Sequence, residues 1–383
     1  MRTYLKADTF YFTDGTKSGG YLELIDGCFG QWRSDLPEGE EVLDYSGYQI
    51  APGLVDTHIH GFAGVDVMDA DPEGILKMSW ELLSTGVTSF LPTTLTSSFD
   101  RLKAAATAIA QVAGQEKGAK IRGIYFEGPY FTEEYKGAQN PAYMKNPSLE
   151  EFDSWQDAAK GLINKIALAP ERDGVKDFIE GMTARGVTTA LGHSNATYAQ
   201  AKEAVAAGAS VWVHVYNGMR GLTHRELGMV GAAYHLPNTY AEWICDGHHS
   251  VPEAGDILMR QKGIDHVALI TDCMRAGGCS DGDYMLGEFP VTVENGTARL
   301  KSNGSLAGSI LKLKDGLKNV VDWGLASPEE AIKMASFVPA KSVNIDHVCG
   351  QLKEGHAADF IVLDKKLELM ATFIDGKRVW TSA

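Results

Sequence analysis

The sequence predicts an α/β fold: a parallel (β/α)8 barrel of TIM type joined to a small β-sandwich domain formed from both chain termini. Three observations carry this. Between residues 51 and 272, eight short apolar runs recur as strand candidates, several trailed by segments of helical periodicity. Before residue 50 and after about residue 345 the texture is β without helices. The polar residues able to do chemistry fall at the C-terminal ends of the inferred inner strands, where a barrel of this kind opens its mouth. The expected division is a small β domain of residues 1–52 and 346–383 around a catalytic barrel of residues 53–345.

The N-terminal β segments are Phe10-Tyr11-Phe12 and the run from Gly20 to Gly27, with Asp14-Gly15 and Asp26-Gly27 as turn signals. Lys17-Ser18 after Gly15 lacks both P-loop spacing and a following helix, so no nucleotide loop is expected there. The first barrel strand lies in Pro52-Gly53-Leu54-Val55-Asp56-Thr57-His58-Ile59-His60-Gly61, an apolar run bounded by glycines. Side chains alternate along a strand, so His58 and His60 leave from one face. Taken alone, that pair fits either a metal grip or two hydrogen-bonded core histidines.

Helical periodicity over residues 72–84 stops near Gly86, and residues 87–94 form the second strand. An Ala-rich helix over 99–112 precedes the third strand, 121–129, and an irregular insert runs from there to about Pro147. The fourth strand, 165–170, is followed by a helix over 175–185, and the fifth, 187–193, by a helix over 197–207. Residues 210–214, 240–246 and 267–272 complete the eight. The closing β segments are 360–364 and 371–379, the second turning at Asp375-Gly376.

The net charge of −15, with no long Lys/Arg block, argues against nucleic-acid binding. No apolar run reaches membrane-span length, so no membrane association is expected. The N-terminus lacks the apolar core of a signal peptide. Five scattered cysteines without C-x-x-C spacing argue against a disulfide framework and for a cytoplasmic protein.

His58, His60, Glu127, His193, His214 and Asp272 each sit at or just past the end of an inferred strand. Buried separately, each would need its own polar partner; a shared metal ion supplies those partners together. Gly192-His193-Ser194-Asn195-Ala196 looks like a nucleophile elbow, but its last Gly is missing and His precedes Ser.

The chain resembles the amidohydrolase superfamily, and in particular its branch of N-acetylglucosamine-6-phosphate deacetylases. The matching pieces are the His58/His60 run, Phe126-Glu127-Gly128-Pro129, Gly192 to Thr197 and His214-Val215-Tyr216-Asn217-Gly218-Met219. They continue through Asp246-Gly247-His248-His249, Thr271-Asp272-Cys273-Met274, Leu306-Ala307-Gly308-Ser309 and Gly355-His356-Ala357-Ala358-Asp359-Phe360.

The resemblance implies a divalent metal, zinc before others, held by Glu127, His193 and His214, with His58 and His60 as further ligands if a second ion binds. It implies Asp272 as general base and then general acid in removing the N-acetyl group of a hexosamine 6-phosphate. Substrate contacts carried over are Ala138, Gln139, Asn217, Gly218, Arg225, His249, Leu306, Ala307 and Gly308. Arg225 and His249 are the expected phosphate partners, and the resemblance has Arg225 reaching the phosphate bound in a neighbouring subunit of a homodimer. Gln139 departs from the His common in relatives; its amide can donate to the acetyl carbonyl but carries no charge. The alternatives are the galactosamine epimer, a cyclic-amide substrate, or a sugar-phosphate-binding protein without catalysis.

Overall fold

A computed structural model describes residues 2–382. Eight parallel strands form its centre: Leu54–Ile59, Val87–Thr94, Ile124–Tyr130, Ile163–Leu168, Thr188–Leu191, Val211–Trp212, Tyr240–Trp243 and Val267–Leu269. Each pairs in parallel with its successor. The ring closes where Ile59 bridges Cys273 and the Asp272 N–H donates to the His58 carbonyl (2.8 Å). Nearly every residue of these strands is buried. That explains their continuous Val/Ile/Leu-rich runs, because a parallel sheet covered by helices has no wet face.

The helices follow from local signals. Phe99–Val112 starts at Ser98, whose hydroxyl accepts from the Arg101 N–H, and it buries Leu102, Ala105, Ala106 and Ile109 on one face. Pro72–Glu81 opens at Asp71 and Pro72 and ends short of the expected 84: Leu82–Thr85 tightens to a 3-10 turn before Gly86 stops it at φ 78°. Among the described residues, the insert after the third strand holds only two 3-10 turns up to Pro147, Glu133–Tyr135 and Pro141–Tyr143, and the helix Leu149–Ala158 that follows it was not expected.

Both termini meet in one eight-stranded mixed sheet. Val42–Pro52 lies between Arg2–Phe12, parallel to it, and Phe360–Leu363, antiparallel. The sheet curls so that Phe29 meets Phe360 (ring centroids 6.1 Å apart), enclosing a core with Leu5, Phe10, Leu22, Ile50 and Phe373. Asp26-Gly27 and Asp375-Gly376 adopt the left-handed φ pairs of tight hairpin turns. Gly53 joins this sheet to the barrel, and a Cβ there would lie 2.0 Å from Thr88 Oγ1. Among the described residues, no helix is long and apolar enough to cross a membrane.

A three-stranded antiparallel sheet, Gly282–Leu286, Phe289–Glu294 and Thr297–Leu300, follows the last barrel strand and was not expected. Its tip is fastened to the barrel. The Gly287 N–H donates to Asp66 (3.2 Å), and Glu288 pairs with Arg101 and accepts from Asn140 (2.9 Å).

Candidate active site

The C-terminal strand ends converge on a cavity of about 140 Å3. His58 comes from the first strand and His60 from just past its end, Glu127 from the third, and His193, His214 and Asp272 from the turns after the fifth, sixth and eighth. His193, His214 and Asp272 have φ of 44°, 26° and 50°. A non-glycine residue in that left-handed region gives up about 1–2 kcal/mol, and strain of this kind collects where geometry serves function.

Two triads form. Glu127, His193 and His214 bring one ligand atom each within 4.8 Å of one another, as do His58, His60 and Asp272. In the first, the two Nε2 atoms are 3.1 Å apart, and Glu127 Oε1 lies 3.3 Å from His193 and 3.2 Å from His214. In the second, Asp272 Oδ1 is 3.3 Å from His58 Nε2 and 3.0 Å from His60 Nε2. Glu127 stands between them, with Oε1 3.4 Å from His58 and Oε2 3.2 Å from His60.

The tautomers follow from the outward-facing nitrogens. His193 Nδ1 bonds the Tyr135 carbonyl (3.0 Å), His60 Nδ1 the Thr93 carbonyl (3.2 Å) and His58 Nδ1 the Glu242 carboxylate (3.0 Å). Each of these acceptors requires an N–H, which leaves a lone pair on Nε2 aimed at the cluster. His58 Nε2 is buried without a hydrogen-bond partner among the described residues. Lone pairs and carboxylate oxygens thus face one another at close range, which a cation resolves.

Charge points the same way. Burial disfavours a charge on His58, yet Asp272, Glu127 and Glu242 together raise its pKa well above the usual imidazole value. Burial also pushes against ionisation of Asp272, but His58 and His60 hold its carboxyl well below the usual range. Glu127, Asp272 and Glu242 against the ammonium of Lys165, which pairs with Glu242, leave this group two negative charges when the imidazoles are neutral. A divalent cation fits that deficit.

Most expected site residues come together. His60, Glu127, Ala138, Gln139, His193, His214, Asn217, Gly218, His249, Asp272, Leu306 and Gly308 line the cavity. His58 lies behind them, fully buried, and so does Ala307, between the lining residues Leu306 and Gly308. Arg225 does not line the cavity; its loop, residues 221–225, is exposed.

Gln139 also contacts an expected ligand: its Nε2 donates one N–H to Glu127 Oε2, and its Oε1 accepts from the Thr96 N–H (2.7 Å). His249 Nδ1 bonds Asp246 Oδ2 at 2.7 Å. Sequence reasoning missed Leu95, Gly137 and Leu286 in the lining, and Lys165 and Glu242 beneath it. Leu286 sits on the unexpected three-stranded sheet. The signal for that sheet was present: Asn295-Gly296 between alternating apolar residues is a hairpin turn.

The chain belongs to the amidohydrolase family, matching it over residues 50–379. Within that family its relatives act on amino-sugar phosphates. It is 41% identical over 369 residues to the N-acetylglucosamine-6-phosphate deacetylase of Vibrio furnissii, covering 95% of this chain and 90% of that one. It is 37% identical to the N-acetylgalactosamine-6-phosphate deacetylase of Escherichia coli O157:H7, over 98% of this chain and 99% of that one. The structure of a mutant N-acetyl-D-glucosamine-6-phosphate deacetylase from Mycobacterium smegmatis, in complex with N-acetyl-D-glucosamine-6-phosphate, superposes with a TM-score of 0.94 at 29% identity. The superposition covers 99% of this chain and all of the other.

Proposed function

We propose that this chain hydrolyses the N-acetyl group of N-acetyl-D-glucosamine 6-phosphate, giving D-glucosamine 6-phosphate and acetate in amino-sugar catabolism. The observation that carries it is the pair of buried triads at the barrel mouth, joined by Glu127 and opening on a cavity with Asp272 at its wall. The 41% relative supports the substrate class. A binding protein without catalysis would have no use for a strained, buried carboxylate beside the ligand cluster.

Glu127, His193 and His214 would hold a divalent ion, zinc before others, since two imidazoles and one carboxylate are a donor set of catalytic zinc sites. His58, His60 and Asp272 would hold a second. When bound, such an ion acidifies water and polarises the acyl oxygen. Asp272 takes the proton from the attacking water and delivers it to the departing amine nitrogen. Water thus adds to the acetyl carbon, the C–N bond breaks, and acetate and the free amine leave. Gln139 keeps Glu127 in place. Ala138, Asn217, Gly218, His249, Leu306, Ala307 and Gly308 surround the sugar, and His249, steadied by Asp246, faces the phosphate side.

Arg225 is read as acting across a homodimer, its guanidinium pairing with the 6-phosphate in the neighbouring site. The exposure of the whole 221–225 loop, including Leu222 at 49%, supports a surface waiting for a partner. The reading takes residues 53–345 as the catalytic barrel, residues 1–52 with 346–383 as the small β domain, and the cytoplasm as the setting of its free cysteines.

The 37% identity to the galactosamine-type enzyme favours a second reading, the C4 epimer as substrate. Acetate release measured on N-acetylglucosamine 6-phosphate, its galactosamine epimer and both unphosphorylated sugars tests the choice. Fastest turnover on the glucosamine phosphate is expected. Preference for the epimer replaces the substrate, and no acetate from any of the four overturns the reading.

A further inference from the structure

Beneath the two triads the barrel holds a charged pair to which the chemistry above assigns no role. Lys165, from the fourth strand, and Glu242, from the seventh, are fully buried and ion-paired. Lys165 also donates to the Thr57 carbonyl (3.3 Å) and lies 3.7 Å from the centroid of the Tyr125 ring. Its Nζ engages Glu242 Oε1, which leaves Oε2 for other partners. That second oxygen accepts from His58 Nδ1 at 3.0 Å and from the His214 N–H at 3.3 Å. One carboxylate oxygen therefore touches a member of each triad.

Stability alone does not account for such a pair. Two charges taken out of water regain little net energy, and apolar replacements of similar shape are often as stable or more so. Geometry suggests another use. An ionised carboxylate only accepts, so it holds His58 as the Nδ1–H tautomer with the Nε2 lone pair turned to Asp272 and Glu127. Lys165 pins the carboxylate by its other oxygen and keeps it from turning away. The Tyr125 ring, edge-on to His58 at 4.9 Å, blocks the remaining rotation.

We propose that Lys165 and Glu242 are positioning residues that set cation occupancy at His58, His60 and Asp272 by locking the His58 ring, and that tie this position to His214. The proposal rests on the two-triad metal reading above. Its test is a titration of chelator-stripped full-length protein with Co2+, following bound equivalents, affinity and the cobalt absorption spectrum.

Wild-type protein is expected to bind two equivalents, the weaker lost in the variant His58→Ala. In Glu242→Gln the carboxamide N–H2 must face either the Lys165 ammonium or the His58 N–H, donor against donor. The second equivalent should weaken by about tenfold or more, as for other outer partners of metal-bound histidines. Lys165→Met combined with Glu242→Gln removes the opposing donor, so the second equivalent should return to within about threefold of wild type. A merely structural pair would leave the double variant at least as impaired as the single one, its affinity following its thermal midpoint. Should Glu242→Gln not fold, the double variant decides by keeping or losing the second ion. Wild-type affinity in Glu242→Gln, or no recovery in the double variant, overturns the proposal alone. A wild-type protein binding one ion, unaffected by His58→Ala, overturns it together with the two-triad reading.

Discussion

Gly218→Ala is a steric test of the metal cluster that leaves every expected ligand in place. Gly218 has φ +58°, and a Cβ there would lie 2.7 Å from His193 Nδ1, 3.1 Å from its Cε1 and 3.1 Å from the Tyr135 carbonyl oxygen. Those atoms are the two sides of the hydrogen bond that orients His193. The added methyl must push them apart, because the backbone oxygen and the packed ring yield little. An alanine in the left-handed region costs about 1–2 kcal/mol by itself. Loss of an outer partner of a metal-bound histidine costs a further 10- to 100-fold in metal affinity, on the order of 1.4–2.8 kcal/mol. Gly186→Ala is the matched control, since Gly186 also has a left-handed φ (+70°) and nothing lies within 4 Å of its added Cβ. Metal affinity is measured by competition with a chromophoric chelator, and acetate release is measured on the same samples. Gly218→Ala should lose both while Gly186→Ala keeps both. Equal behaviour of the two variants would refute the role given to His193.

Two further outcomes are expected. Asp272→Asn should keep substrate affinity while turnover falls by about 10²- to 10⁴-fold, the usual worth of a positioned acid–base group; steady-state rates within a few-fold of wild type would remove Asp272 from the proton path. Arg225→Ala should raise KM for the 6-phosphate and barely change hydrolysis of unphosphorylated N-acetylglucosamine, a split of about 2 kcal/mol for a lost charge-assisted pair; equal losses on both sugars would assign Arg225 to the fold, and a strictly monomeric, fully active enzyme would rule out the shared site.

Where local signals and burial agree, the sequence was read to the residue. Val87–Thr94 and Phe99–Val112 coincide with their expected spans because Gly86 and Ser98 mark the boundaries by backbone geometry and capping. The later barrel strands are shorter than expected. Thr188–Leu191 and Val211–Trp212 stop before His193 and His214, whose left-handed backbones turn the chain into the mouth. Periodicity registers apolar content and cannot see that departure.

The six residues of the two triads were legible as a group, because four histidines and two carboxylates at the ends of five strands would each need a separate buried partner unless they shared one. Lys165 and Glu242 were not. A charge inside an apolar strand breaks the pattern, and only the folded barrel shows that one break answers the other. Gln139 was legible as a site residue, but its hydrogen bond to Glu127 was not, since twelve residues and a turn separate them.

In the proposed mechanism, deacetylation depends on a metal held by the carboxylate–imidazole cluster. The most direct test of this dependence is metal content and acetate release from N-acetylglucosamine 6-phosphate, measured on one preparation as isolated, after chelation and after reloading, beside His193→Ala. Activity should disappear with the metal, return with it in the wild-type chain, and fail to return in the variant. Undiminished acetate release from metal-free protein, or full metal content and turnover in His193→Ala, would contradict it.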